Sequence, residues 1–156
     1  MYEKFKEYLN SKNWKFSEYK DSNLISFYLG GANGTTFYCT GQDEPDKQRF
    51  IFFSYCITNC PERLRIKMAE LLMRLNSVIF LGNFELNFET GGIKHKTSII
   101  YEGIDIQLKL IDNLVIFNIS LMDDCTPAIL KLMYGETDPI DAFNFRQGQQ
   151  SQLSIE

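Results

Sequence analysis

The chain has 156 residues, 16 basic against 20 acidic, and is 44% hydrophobic and 23% charged. At this length roughly 68–70% of the extended-chain surface can be buried, and the composition excludes a disordered, collagen-like or coiled-coil chain. The net charge of −4 and a densest basic run (Arg63, Arg65, Lys67 and Arg74) broken by Glu62 and Glu70 exclude the basic stripe that nucleic-acid binding requires. The unusual figure is the aromatic content, 14%, with 13 Phe and 8 Tyr.

Tyr2, Phe5 and Leu9 recur at helical spacing, with charged residues between them, and predict a short amphipathic helix ending near Asn10–Asn13. A strand-rich stretch follows. Trp14–Tyr19 alternates weakly, and Leu24–Leu29 is aliphatic and aromatic. Asn33-Gly34 reads as a two-residue hairpin turn, because both central residues of a type I′ turn need positive φ. That turn would place Leu29 opposite Tyr38 and Gly30 opposite Phe37. Residues 41–47 read as a polar turn, and Arg49–Thr58 as the most apolar strand.

Asn59-Cys60-Pro61-Glu62 starts a helix, with proline at its first position. Leu64, Met68, Leu71, Leu72 and Leu75 form one stripe on it, and Ile66, Ala69 and Met73 form a second on the far side. Phe84, Leu86 and Phe88 alternate with Glu85, Asn87 and Glu89 in a second hairpin that returns through Ile93–Tyr101. A two-residue loop at Thr90-Gly91 would set Glu85 opposite Lys96. A long helix is expected from Ile106 to Met122. At Pro127 either Thr126 caps a new helix or a single helix kinks. Asp138-Pro139 starts a last helical piece to Phe145. The expected organisation is one domain over 1–145 and a Gln/Ser-rich, disordered tail over 146–156.

No chemistry-bearing constellation emerges. The one histidine, His95, sits mid-strand on the apolar face and reads as a packed imidazole. Cys56 and Cys60 lack the second pair or the histidines of a zinc site, so no metal or cofactor is expected. Cys60, just before a helix, is a candidate for a stabilised thiolate, and a redox role is open for Cys56 or Cys60. The start carries no basic-then-apolar leader pattern, and the most apolar stretch, Leu108–Met122, is interrupted by Lys109, Asp112, Asn113 and Asn118. A cytoplasmic, non-enzymatic protein with no membrane partner is therefore expected.

The aromatics locate the function. In the Arg49–Thr58 strand, Ile51, Phe53, Tyr55 and Ile57 share one face, and Phe50 and Phe52 the other. In the preceding hairpin, Ile25, Phe27 and Leu29 share one face, while Tyr28 and Phe37 are assigned to the other. A sheet with one wet face should alternate apolar with polar, and this one does not. The face bearing Tyr28, Phe37, Phe50 and Phe52 is thus expected to meet a second copy of the chain or a protein client, with Ile66 and Met73 on the helix as the other candidate contact.

The second half resembles a known family. Phe53-Ser54-Tyr55-Cys56 leads through Asn59, Pro61, Glu62 and Asn76 to Gly82-Asn83-Phe84-Glu85-Leu86. Gly91, Lys96-Thr97-Ser98-Ile99, Glu102-Gly103, Met122-Asp123, Pro127, Ile129 and Tyr134-Gly135 follow. This pattern, strongest over Phe50–Gly135, is similar to the YbjN-domain family of bacterial sensory transduction regulators, whose fold resembles type III secretion chaperones. Asn87, Gly92, Lys94, His95, Ile100 and the Asp124-Cys125-Thr126-Pro127 run depart from its usual residues. The resemblance implies a bacterial α+β domain without catalytic residues that binds proteins, often as a homodimer. The expected architecture is an antiparallel sheet built from a meander of strands, a helix and a second hairpin, packed with N-terminal, central and C-terminal helices. A small-ligand regulatory module, with a cleft between the sheet and the C-terminal helices, is the alternative.

Overall fold

The computed structural model describes residues 1–32 and 35–153, with side chains to residue 148. Helix α1 (Tyr2–Ser11) precedes four strands: β1 (Phe16–Tyr19), β2 (Leu24–Gly30), β3 (Thr36–Glu44) and β4 (Arg49–Tyr55). Helix α2 (Arg65–Asn76) leads to β5 (Asn83–Leu86) and β6 (Ile93–Ile100), followed by α3 (Leu108–Tyr134) and α4 (Pro139–Leu153). The strands form one antiparallel sheet in the order β1-β2-β3-β4-β6-β5. The fold is α+β, as expected.

The helices lie on one face of this sheet. Phe5 of α1 packs against Phe27, Phe50 and Phe52, its ring centroid 4.9 Å from that of Phe50. This close approach needs Gly41 beneath it, because a Cβ there would lie 2.2 Å from the Phe5 ring. Gly41 therefore belongs to β3 rather than to the polar turn expected over 41–47. That turn shrinks to Pro45–Lys47, closed by Gln48 at φ 46°.

One buried asparagine ties α3 to the sheet. The Asn118 side-chain carbonyl accepts from Ser54 Oγ at 2.6 Å, and its amide donates to the His95 carbonyl and to Thr97 Oγ1, both at 3.2 Å. Its backbone carbonyl accepts from His95 Nδ1 at 3.2 Å. Each partner is fully buried, so each polar atom needs such a bond.

Several expectations are corrected. Leu29 pairs with Phe37, not Tyr38, so the β2–β3 register is shifted by one residue. A one-residue shift turns every side chain of a strand to the opposite face, and Phe37 is accordingly buried. The Asn33-Gly34 turn lies outside the described residues. In the second hairpin Glu85 pairs with Lys94, a shift of two, which leaves the faces as expected. β5 stops at Leu86 because the Asn87 side chain turns back to accept from the amides of Glu89 and Thr90. At Pro127 the helix is a single continuous element, and Thr126 Oγ1 donates to the Met122 carbonyl one turn earlier at 2.7 Å. α4 also runs on to Leu153 instead of ending at Phe145. Asp138 caps its start through the amides of Ile140 and Asp141, and Arg146, assigned to a loose tail, is buried. Glutamine is a good helix former, so a polar Gln/Ser run at the end of a capped helix can extend it.

Candidate protein-binding surface

The other sheet face carries no helix among the described residues. The register sets Tyr28 opposite Tyr38, and Tyr38 opposite Tyr55, in one row across β2, β3 and β4. Ring centroids in that row are 5.3 and 5.5 Å apart, and Phe53 extends it at 6.1 Å from Tyr55. These spacings suit tilted aromatic pairs. Tyr28 is 70% exposed, and Ile57, just past β4, is also exposed. A groove of about 630 Å³ runs beside the row, walled by Leu24, Tyr28, Tyr38, Tyr55 and Ile57.

One end of this face is charged. Lys94 Nζ lies 4.3 Å from the Phe53 ring centroid and 3.1 Å from Glu85, while Lys96 pairs with the other Glu85 oxygen. The paired lysines hold Glu85 below the ordinary carboxylate range against a partial desolvation that acts the other way. The arrangement is an aromatic strip with an ion-paired margin, which resembles the core and rim of a protein interface.

The six residues singled out from the sequence divide. Tyr28 is on this surface. Phe37, Phe50 and Phe52 are not, because all three are buried, Phe50 and Phe52 against Phe5 of α1. The alternation in β4 does define two faces, and the one that contacts the helices is Phe50, Phe52 and Ser54. The open one is Ile51, Phe53 and Tyr55. Ile66 and Met73 are 75% and 67% exposed on α2. α2 packs against β5 and α4 by its Met68, Leu71, Leu72 and Leu75 side, so this second stripe belongs to the helical layer and is not brought together with Tyr28. Tyr38, Phe53 and Tyr55 are the residues that were missed. The signal that marks their face is the Glu85, Lys94 and Lys96 set, which shares it through β6.

The groups considered for chemistry are structural. His95 is fully buried, and burial pushes its imidazole down to about 4. All four cysteines are reduced and buried. Burial pushes the Cys39 and Cys125 thiols up to about 12 and raises those of Cys56 and Cys60 as well. The thiolate expected at Cys60 is therefore disfavoured. A short turn of 3-10 helix, Glu62–Leu64, stands between Cys60 and α2, so the full helix dipole does not act on it. Among the described residues no group of three His, Cys, Asp or Glu side chains could hold a metal, and no helix is long and apolar enough to cross a membrane.

The molecule is thus an α+β domain with helices on one sheet face and an open aromatic strip on the other. Its fold is similar to that of YbjN from E. coli, with a TM-score of 0.62 at 8% identity over 79% of this chain and 86% of that one. A second solved structure, the ExsC–ExsE complex, gives a TM-score of 0.48 at 11% identity over 76% of this chain and 84% of that one. No family model matches the chain, and no curated protein matches it.

Proposed function

We propose that this is a non-enzymatic, cytoplasmic protein-binding domain of the YbjN type that pairs with a second copy of itself through the open sheet face. The observation that supports this reading most is the Tyr28–Tyr38–Tyr55 row, which no helix among the described residues covers, with Tyr28 exposed and Tyr38 and Tyr55 half-buried beside an apolar groove. Monomers rarely leave apolar patches beyond several hundred Å² uncovered without a function, and tyrosine is enriched at interfaces because its ring buries while its hydroxyl keeps a polar partner. YbjN is described as a candidate transcription regulator. Direct nucleic-acid contact is disfavoured here by the net charge of −4 and by the pairing of Lys94 and Lys96 with Glu85.

Tyrosine nitration tests the proposal. Tyr28 and Tyr134 are both well exposed in the single chain, Tyr134 at the far end of α3. Raising the protein concentration should slow nitration of Tyr28 and leave Tyr134 unchanged. Equal behaviour of the two would count against the sheet face.

A further inference from the structure

A second cavity of about 400 Å³ lies away from the sheet, between α3, α4 and the α2–β5 connection. One wall is apolar: Val78, Leu121 and the pair Phe80–Phe117, whose ring centroids are 4.6 Å apart. Phe80 is 86% exposed, the most solvent-facing large apolar side chain among the described residues. Arg146 from α4 and Asp124 from α3, the latter on the same helix face as Phe117 and Leu121, also line it.

Arg146 is the unusual member. It is only 5% exposed, yet it makes no ion pair among the described residues, and its Nε has no hydrogen-bond partner. The neighbour that interacts with it is the Cys125 thiol, a weak acceptor. A buried cation is normally paired, since leaving it unpaired costs several kcal/mol. Asp124 lines the same cavity, is exposed, and makes no ion pair either. Two opposite charges therefore face one cavity without closing on each other, beside an aromatic wall.

We infer that this cavity binds a small zwitterion with an apolar body, namely an aromatic or branched α-amino acid. Its carboxylate would pair with Arg146, whose planar guanidinium suits bidentate contact. Its ammonium would face Asp124, and its side chain would lie on Phe80 and Phe117. The bound molecule would supply the counter-ion that Arg146 lacks and cover the exposed face of Phe80. The volume suits a small-molecule site, and the lining, mostly apolar with a few convergent polar groups, has the usual character of one.

Isothermal titration of the whole chain with L-phenylalanine and L-leucine tests the assignment. At least one should bind with a Kd at or below about 1 mM, equivalent to about −4 kcal/mol. Arg146→Gln and Phe80→Ala should each weaken binding about tenfold or more, and Asp124→Asn should weaken it as well. Phe80→Ala changes an exposed residue, so it keeps the test valid if Arg146→Gln fails to fold. 3-Phenylpropanoate and phenylethylamine, which each lack one charge, should bind more weakly than L-phenylalanine. Absence of binding by both amino acids, or an affinity unchanged in Phe80→Ala, would overturn the site. Equal binding of 3-phenylpropanoate would overturn the amino-acid assignment.

Discussion

Ser54 Oγ donates a 2.6 Å hydrogen bond to the side-chain carbonyl of Asn118, 64 residues further along the chain, and both residues are fully buried. Through this bond, and the donations from the Asn118 amide to His95 and Thr97, α3 is locked to β4 and β6. The lock holds the helices on one face and leaves the tyrosine row open on the other.

Asn118→Ala should therefore be costly. It strands the Ser54 hydroxyl in an apolar core, at about 1–3 kcal/mol, removes the amide donations to the His95 carbonyl and Thr97 Oγ1, and leaves a cavity. A loss of about 2–4 kcal/mol in urea unfolding is expected. Asn118→Asp should not restore it, because a buried carboxylate cannot donate to the His95 carbonyl.

The fold should weaken in mild acid. His95 titrates at about 4 in the folded chain, below the ordinary value of 6.5, because burial disfavours its charged form. The unfolded state binds more protons between those values. Stability is thus fully present above pH 6.5 and is lost as pH falls toward 4. The loss between pH 7 and 5 should be about 2 kcal/mol. Urea midpoints at the two pH values should differ in the wild type and converge in His95→Gln.

Gly41 and Phe5 should be energetically coupled. A methyl at Gly41 would collide with the Phe5 ring, so Gly41→Ala should destabilise by about 1–3 kcal/mol, the usual cost of overpacking. In a Phe5→Leu background the same change should cost clearly less. A double-mutant cycle by thermal or urea melting reads the difference.

The cysteines should be inert in the native state. All four are buried with raised thiol pKa values. Thiol labelling at pH 8 should be slow without denaturant and immediate in it. Rapid native labelling of Cys60 would revive a thiol-based activity.

Much of this structure is legible from spacing alone. The period-2 alternation of β4 and β5, the helical stripes of α1 and α2, and the polar face of the second hairpin all follow from residue order. Alternation, however, defines two faces without saying which one the helices cover. That depends on long-range contacts such as Phe5 with Phe50 and Asn118 with Ser54. Phe37 shows the sharper limit. Asn33-Gly34 suggests a turn length, and a difference of one residue in register decides whether Phe37 lies on the surface or, as it does, in the core. The cavity at Arg146 was illegible for a similar reason. A Gln/Ser-rich run reads as a tail, and only the docking of α4 on α2 and α3 brings Arg146 inside.

The most direct test of the sheet-face proposal is the mass of the protein in solution, by sedimentation equilibrium at micromolar concentration, for the wild type, Tyr55→Glu and Ile66→Glu. The wild type should sediment at twice the 18.2 kDa chain mass, Tyr55→Glu at the chain mass, and Ile66→Glu as the wild type, because Ile66 lies in the helical layer. A wild type at 18.2 kDa, or a dimer that survives Tyr55→Glu and fails with Ile66→Glu, would contradict the assignment of the open tyrosine face.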